Sequence, residues 1–215
     1  MRYRYDMQLH TLDTQLTHMG ELCEAAITKV TQALKDGNTE QAQVVIKEDE
    51  EIDQIEKDIE RLCLKLLLQQ QPVATDLRVI SSALKMITDM ERVGDQASDI
   101  AEIARFIINS EHSINEDIKK MARETVKMVT DSVDSFVKKD LELARKVIAY
   151  DDVVDEWFTT MKKEVIEMIS NDSSMGEYSI DVLMIAKYLE RIGDHATNIA
   201  EWVEYSITGQ RSKNN

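Results

Sequence analysis

Met90-Glu91-Arg92-Val93-Gly94-Asp95 returns 99 residues later as Leu189-Glu190-Arg191-Ile192-Gly193-Asp194, and Ile100-Ala101-Glu102 returns at the same offset as Ile199-Ala200-Glu201. Upstream, Val45-Ile46 and Asp49-x-x-x-Asp53 recur at an offset of 102 as Val147-Ile148 and Asp151-x-x-x-Asp155. A chain that repeats itself in this order is built twice from one structural unit. The difference of three residues between the offsets fits a change of loop length between the second and third element of each unit.

Those elements are helices. Around Met90 the apolar positions are Ile80, Ala83, Ile87, Met90, Gly94, Ala97, Ala101 and Ala104, spaced by alternating steps of three and four. Near the N-terminus Leu9, Leu12, Leu16, Met19, Cys23, Ala26, Val30 and Ala33 follow the same rule. Steps of three and four place every member on one narrow seam of a helix, the pattern of coiled-coil-like bundles. Breaks fall at Asp36-Gly37-Asn38, Gln71-Pro72, 109–113, 138–140 and 170–176, leaving six helical segments. Ser113 with Glu116 and Ser174 with Glu177 have the spacing of a capping box, Asn38 with Gln41 is a looser version, and Pro72 suits a first turn. The expectation is an all-α fold of two tandem antiparallel three-helix bundles, residues 1–110 and 111–215, related by the internal repeat.

Composition agrees with that class and removes several functions. There is one proline among 215 residues, with 43% apolar and 31% charged side chains, enough to bury a core. A net charge of −15 opposes nucleic-acid binding, which draws its affinity from Lys and Arg on phosphates. It suits cations or a basic protein surface. No stretch free of Asp, Glu, Lys and Arg exceeds the ten residues from Leu66 to Thr75, too short to span a bilayer. With no apolar leader, and with Cys23 and Cys63 forty positions apart, the chain is expected to be cytoplasmic with two reduced, buried thiols. No GxSxG and no glycine-rich phosphate loop appear, so no enzyme chemistry is expected.

The chemistry lies in acidic ladders. Residues three or four apart on a helix share a face. Glu91, Asp95, Asp99 and Glu102 form one such stripe, and Glu190, Asp194, Asn198 and Glu201 repeat it with one acid replaced by an amide. Asp49 and Asp53, and their images Asp151 and Asp155, supply a second set. Asp49 stands inside an apolar seam, between Val45 and Ile52, and Asp151 between Ile148 and Val154. Carboxylates crowded beside a core need a counter-ion, a proton or a metal, and hard cations take oxygen ligands. Glu56 and Glu60 lack acidic images, since Phe158 and Lys162 stand there, and read as surface. Gly94 and Gly193, mid-helix, mark close helix approach. Arg92 and Arg191 either pair with neighbouring acids or hold a partner. His195 points away from Asp194.

These segments resemble the PhoU family. The resemblance is carried by Gln70-Gln71-Pro72-Val73-Ala74-Thr75-Asp76-Leu77-Arg78, by Asp89 to Asp95, and by the run from Leu189 to Glu201, and it covers essentially the whole chain. It implies a regulator that dampens phosphate uptake and the phosphate-starvation response, working between the ATPase subunit of a phosphate ABC transporter and a membrane sensor histidine kinase. It also implies divalent or trivalent metal cations (iron, zinc, manganese or magnesium) at Asp49, Asp53, Glu91, Asp95, Asp99, Asp151, Asp155, Glu190 and Asp194, with Asn198 at the weakened position. Arg78, Arg92 and Arg191 are the expected partner-binding cations, and a homodimer is the expected assembly. The segment holding Arg78 has no image before the last helix, so the halves present different surfaces. The competing function is a di-metal oxidase or metal store in a carboxylate bundle. Such sites use Glu-x-x-His, and the residues three before the four histidines are Met7, Gln15, Asn109 and Ile192.

Overall fold

The computed structural model describes residues 2–69, 73–110 and 116–210. They form six long helices: α1 (Arg2–Asp36), α2 (Thr39–Gln69), α3 (Ala74–Ile108), α4 (Glu116–Lys138), α5 (Leu141–Asn171) and α6 (Gly176–Thr208). A 3-10 turn, Ser173–Met175, joins the last two. Helices α1 to α3 pack as one antiparallel bundle and α4 to α6 as a second, and α3 lies along α6 while α1 lies along α4. One continuous apolar core runs through both. The two seams read from the sequence supply it: all the α3 seam residues are buried, as are the α1 residues from Leu12 to Ala33.

The corners obey the same repeat as the helices. After α1 the chain turns on Gly37, whose φ of 66° is left-handed, and Asn38 accepts from Gln41 N–H through its side chain at 3.0 Å. After α4 the equivalent residue is Lys139, with φ 53°, and Asp140 accepts from Leu143 N–H at 3.0 Å. A lysine held in the left-handed region is strained, a cost that Gly37 avoids in the first half.

One capping expectation changes. Ser174 does not form a box with Glu177. Asp172 caps the 3-10 turn instead, accepting from the Ser174 N–H at 2.9 Å, because the chain inserts that turn before α6 begins at Gly176. Pro72 and Ser113 lie outside the described residues. At the head of α3 the Asp76 carboxylate reaches back to Val73 N–H at 3.3 Å. Cys23 and Cys63 are buried and unbridged. Burial pushes both thiols up to about 12, and Cys23 donates to the Met90 carbonyl, so neither is a nucleophile. Among the described residues no helix is long and apolar enough to cross a membrane.

Candidate functional site

Antiparallel packing of α2 on α3 brings Asp49 level with Gly94 and Asp95. A Cβ placed on Gly94 would lie 2.8 Å from Asp49 Oδ1 and 2.9 Å from Ile52 Cδ1. The glycine therefore makes room for a carboxylate as much as for a helix. Burial pushes the Asp49 pKa up to about 6, with further upward pressure from Asp95, Asp53, Glu91 and Asp99 in that order. Glu91 is raised by burial and then by Asp95, partly offset by Arg92. Asp49 of α2 thus feels four ladder acids, Asp53 on its own helix and Asp95, Glu91 and Asp99 on α3.

The second half repeats the arrangement with substitutions. Asp151 is raised by burial, while a hydrogen bond donated by the Thr197 hydroxyl at 3.0 Å acts against it. Burial, followed by Glu190 and Asp151, pushes Asp194 up to about 6, with Lys187 opposing. The Asp194 side chain nevertheless opens to solvent. Water screens it more than Asp49, so the first seam is the better-defined electrostatic site. Gly193 makes room for packing alone, since its Cβ would meet Val154 Cγ1 at 3.3 Å.

Basic side chains already answer part of this charge. Arg92 bonds Asp95 at 2.8 Å and approaches Glu91 at 3.5 Å, and Lys187 pairs with Glu190. Among the described residues no three His, Cys, Asp or Glu side chains are drawn together as a ready ligand set. The donors fit a hard cation in kind, being carboxylate oxygens from two facing helices with raised proton affinity at the centre. Holding one would require Arg92 and Lys187 to give up the acids they now bond.

Several expected site residues sit elsewhere. Asn198 turns to α3 rather than to Asp151, its Nδ2 donating to Asp89 Oδ1 at 3.3 Å. Asp99 hydrogen-bonds Tyr188 of α6 and feels Arg191 as well as Asp95. The repeat maps Asp89 onto Tyr188 and Asp99 onto Asn198. The two pairs are therefore images of one another about an approximate two-fold axis at the level of Gly94 and Gly193. His195 places Nδ1 2.9 Å from the same Asp89 oxygen. Residues 89, 99, 188, 195 and 198 thus tie the halves together. Arg78 packs beside Gly209 at the end of α6. Glu56, expected at the surface, is partly buried, and burial raises its pKa ahead of Glu60 and Asp53.

Two copies of the PhoU domain model match this chain, at residues 16–104 and 118–203. The chain belongs to the PhoU family. The phosphate-specific transport system accessory protein PhoU homolog of Clostridium acetobutylicum is 37% identical over 209 residues, covering 96% of this chain and 95% of the relative. The corresponding PhoU homolog of Aquifex aeolicus is 38% identical over 186 residues, covering 86% and 84%. The crystal structure of PhoU from Pseudomonas aeruginosa superposes with a TM-score of 0.92 at 33% identity, over 96% of this chain and 100% of that one. The PhoU phosphate transport system regulatory protein from Streptococcus pneumoniae gives 0.90 at 27% identity, over 97% and 99%.

Proposed function

We propose that this chain is a non-enzymatic, cytoplasmic regulator of phosphate uptake and phosphate-starvation signalling. It acts as a homodimer that docks reversibly on the ATPase subunit of a phosphate ABC transporter and on a sensor histidine kinase. The observation that carries this reading is the likeness, over nearly the full length of both chains, to proteins named for a phosphate transport system. The halves, residues 1–110 and 111–215, each contribute one carboxylate seam to it.

In the first seam Asp49, Asp53, Glu91 and Asp95 would hold a divalent or trivalent cation (iron, zinc, manganese or magnesium), with Asp99 at its rim. In the second, Asp151, Asp155, Glu190 and Asp194 would do so. A cation bound there supplies positive charge that offsets the crowded carboxylates. The rest is done by the chain itself. Gly94 leaves space for the Asp49 carboxyl, Thr197 orients Asp151, and Arg92 and Lys187 hold the remaining acids. The oxidase reading lacks the Glu-x-x-His pairs that such sites use, since the residues three before the four histidines are Met7, Gln15, Asn109 and Ile192.

Affinity purification from phosphate-replete cells tests the docking. The transporter ATPase and the histidine kinase are expected to co-purify. Recovery of neither overturns the proposal.

A further inference from the structure

A cluster of positive charge in this acidic molecule faces a cleft that the carboxylate seams do not use. Helix α1 runs antiparallel to α4. The two touch closely where Gly20 meets Val133, with a would-be Cβ 3.0 Å from Val133 Cγ1, and Thr130 donates to Glu24 at 2.8 Å. Toward the end of α1 and the start of α4 they part around a cavity of about 410 Å³. Lys35 from the last turn of α1 lines it, with Lys119 and Arg123 from the first turns of α4. Lys119 and Arg123 are four residues apart and share one helix face, an arrangement that is mildly destabilising by itself. The N-terminal end of α4 adds the positive pole of its helix dipole. Thr28 and Gln32 contribute neutral hydrogen-bonding groups, and Ala122 keeps one wall low.

One acid shares the cleft. Glu116 is bonded by Lys119, whose own side chain is only 15% exposed while that of Glu116 is 68% exposed. Lys119, then Arg123 and Lys120, hold the Glu116 carboxyl below its ordinary range. Among the described lining residues the balance is three cations to one carboxylate, in a chain whose net charge is −15. Among the described residues no aromatic side chain lines the space, so none of them would stack on a base or sugar ring.

We propose that the α1–α4 cleft binds a small polyanion of the phosphate-chain class, gripped by Lys35, Lys119 and Arg123, with Glu116 as the internal group it displaces. The volume suits a ligand larger than a single oxyanion. Charge-assisted bonds from Lys119 and Arg123 supply the grip, and Glu116, being exposed, swings into water when replaced. This site is separate from the acidic seams and does not depend on the docking reading.

Titration calorimetry on the full chain in metal-free buffer, with inorganic phosphate, tripolyphosphate and ATP as probes, tests it. Tripolyphosphate should bind saturably at one site per chain and more tightly than phosphate, and ATP should bind no more tightly than tripolyphosphate. Lys119→Gln and Arg123→Gln should each weaken tripolyphosphate about tenfold, whereas Glu116→Gln should strengthen it. Asp95→Asn, in the seam, should leave it unchanged. Helical circular dichroism checks that every variant is folded. Absence of saturable binding, or equal affinity in wild type and all three cleft variants, overturns the proposal. An ATP affinity far above that of tripolyphosphate overturns its assignment to the phosphate chain.

Discussion

Replacing Asp49 by asparagine should stabilise the metal-free protein at neutral pH, although it removes a side chain from the candidate site. The folded-state pKa of Asp49 stands at about 6 against an ordinary 3.8. A difference of about two pH units corresponds to ~3 kcal/mol at 1.36 kcal/mol per unit. The carboxyl is only half-buried, and solvent screening reduces this to about 1–2 kcal/mol. The sign follows from proton binding. Between the ordinary and the raised value the folded protein holds more protons than the unfolded chain, so stability falls as pH rises through that window. The penalty is fully present above about pH 6. Asparagine keeps the shape and carries no charge, so Asp49→Asn escapes it. For a chain of this length the gain amounts to about 2–8 °C in Tm. Thermal melts of wild type and variant with a chelator present, from about pH 4 to pH 7, read the effect of Asp49 together with the acids coupled to it, while titrations elsewhere cancel in the difference. The gap should open as pH rises and close near pH 4. A variant less stable than wild type at pH 7, or a difference that does not change with pH, refutes the crowding of Asp49.

Four further substitutions probe the scaffold. Gly94→Ala should expel the Asp49 carboxyl and shift Ile52, cancelling the ~1 kcal/mol that alanine gains in a helix, whereas Gly193→Ala should be neutral or stabilising by up to about 1 kcal/mol; urea unfolding of both separates the roles of the two glycines. Lys139→Gly should add about 0.5–1 kcal/mol by relieving the left-handed corner that Gly37 occupies without strain in the other half, read from the same unfolding midpoint. Arg145→Met should cost about 1–3 kcal/mol, because the Glu204 carboxyl it bonds at 2.9 Å is only 6% exposed, and the loss should shrink at acid pH.

The architecture was legible because periodicity and repetition both act through the backbone. Every α3 seam residue from Ile80 to Ala104 is buried, and the breaks at Gly37 and Lys139 are corners. Asp49 was legible too, since an acid between Val45 and Ile52 has little choice but to face a core. The acidic stripe of α3 was read as one surface, and there the sequence alone fell short. Asp95 faces α2 while Asp99, one turn on, reaches Tyr188 of α6. Helical spacing says which residues share a face but not which neighbour that face meets. The missing signal lay in the repeat itself. Asp89 and Asp99 map onto Tyr188 and Asn198, and an antiparallel crossing of α3 and α6 turns that mismatch into two complementary hydrogen bonds. Glu204, beyond the matching segments, carried no sequence mark of its burial.

The central claim is that duplicated carboxylates on facing helices are a cation site in each half. Calorimetric titration of the metal-stripped protein with iron, zinc, manganese and magnesium salts, for wild type, Asp95→Ala and Asp194→Ala, measures it directly. The account predicts that wild type binds at least one of these ions in each half, and that each variant loses the binding contributed by its own half. Unchanged affinity and stoichiometry in both variants would contradict it.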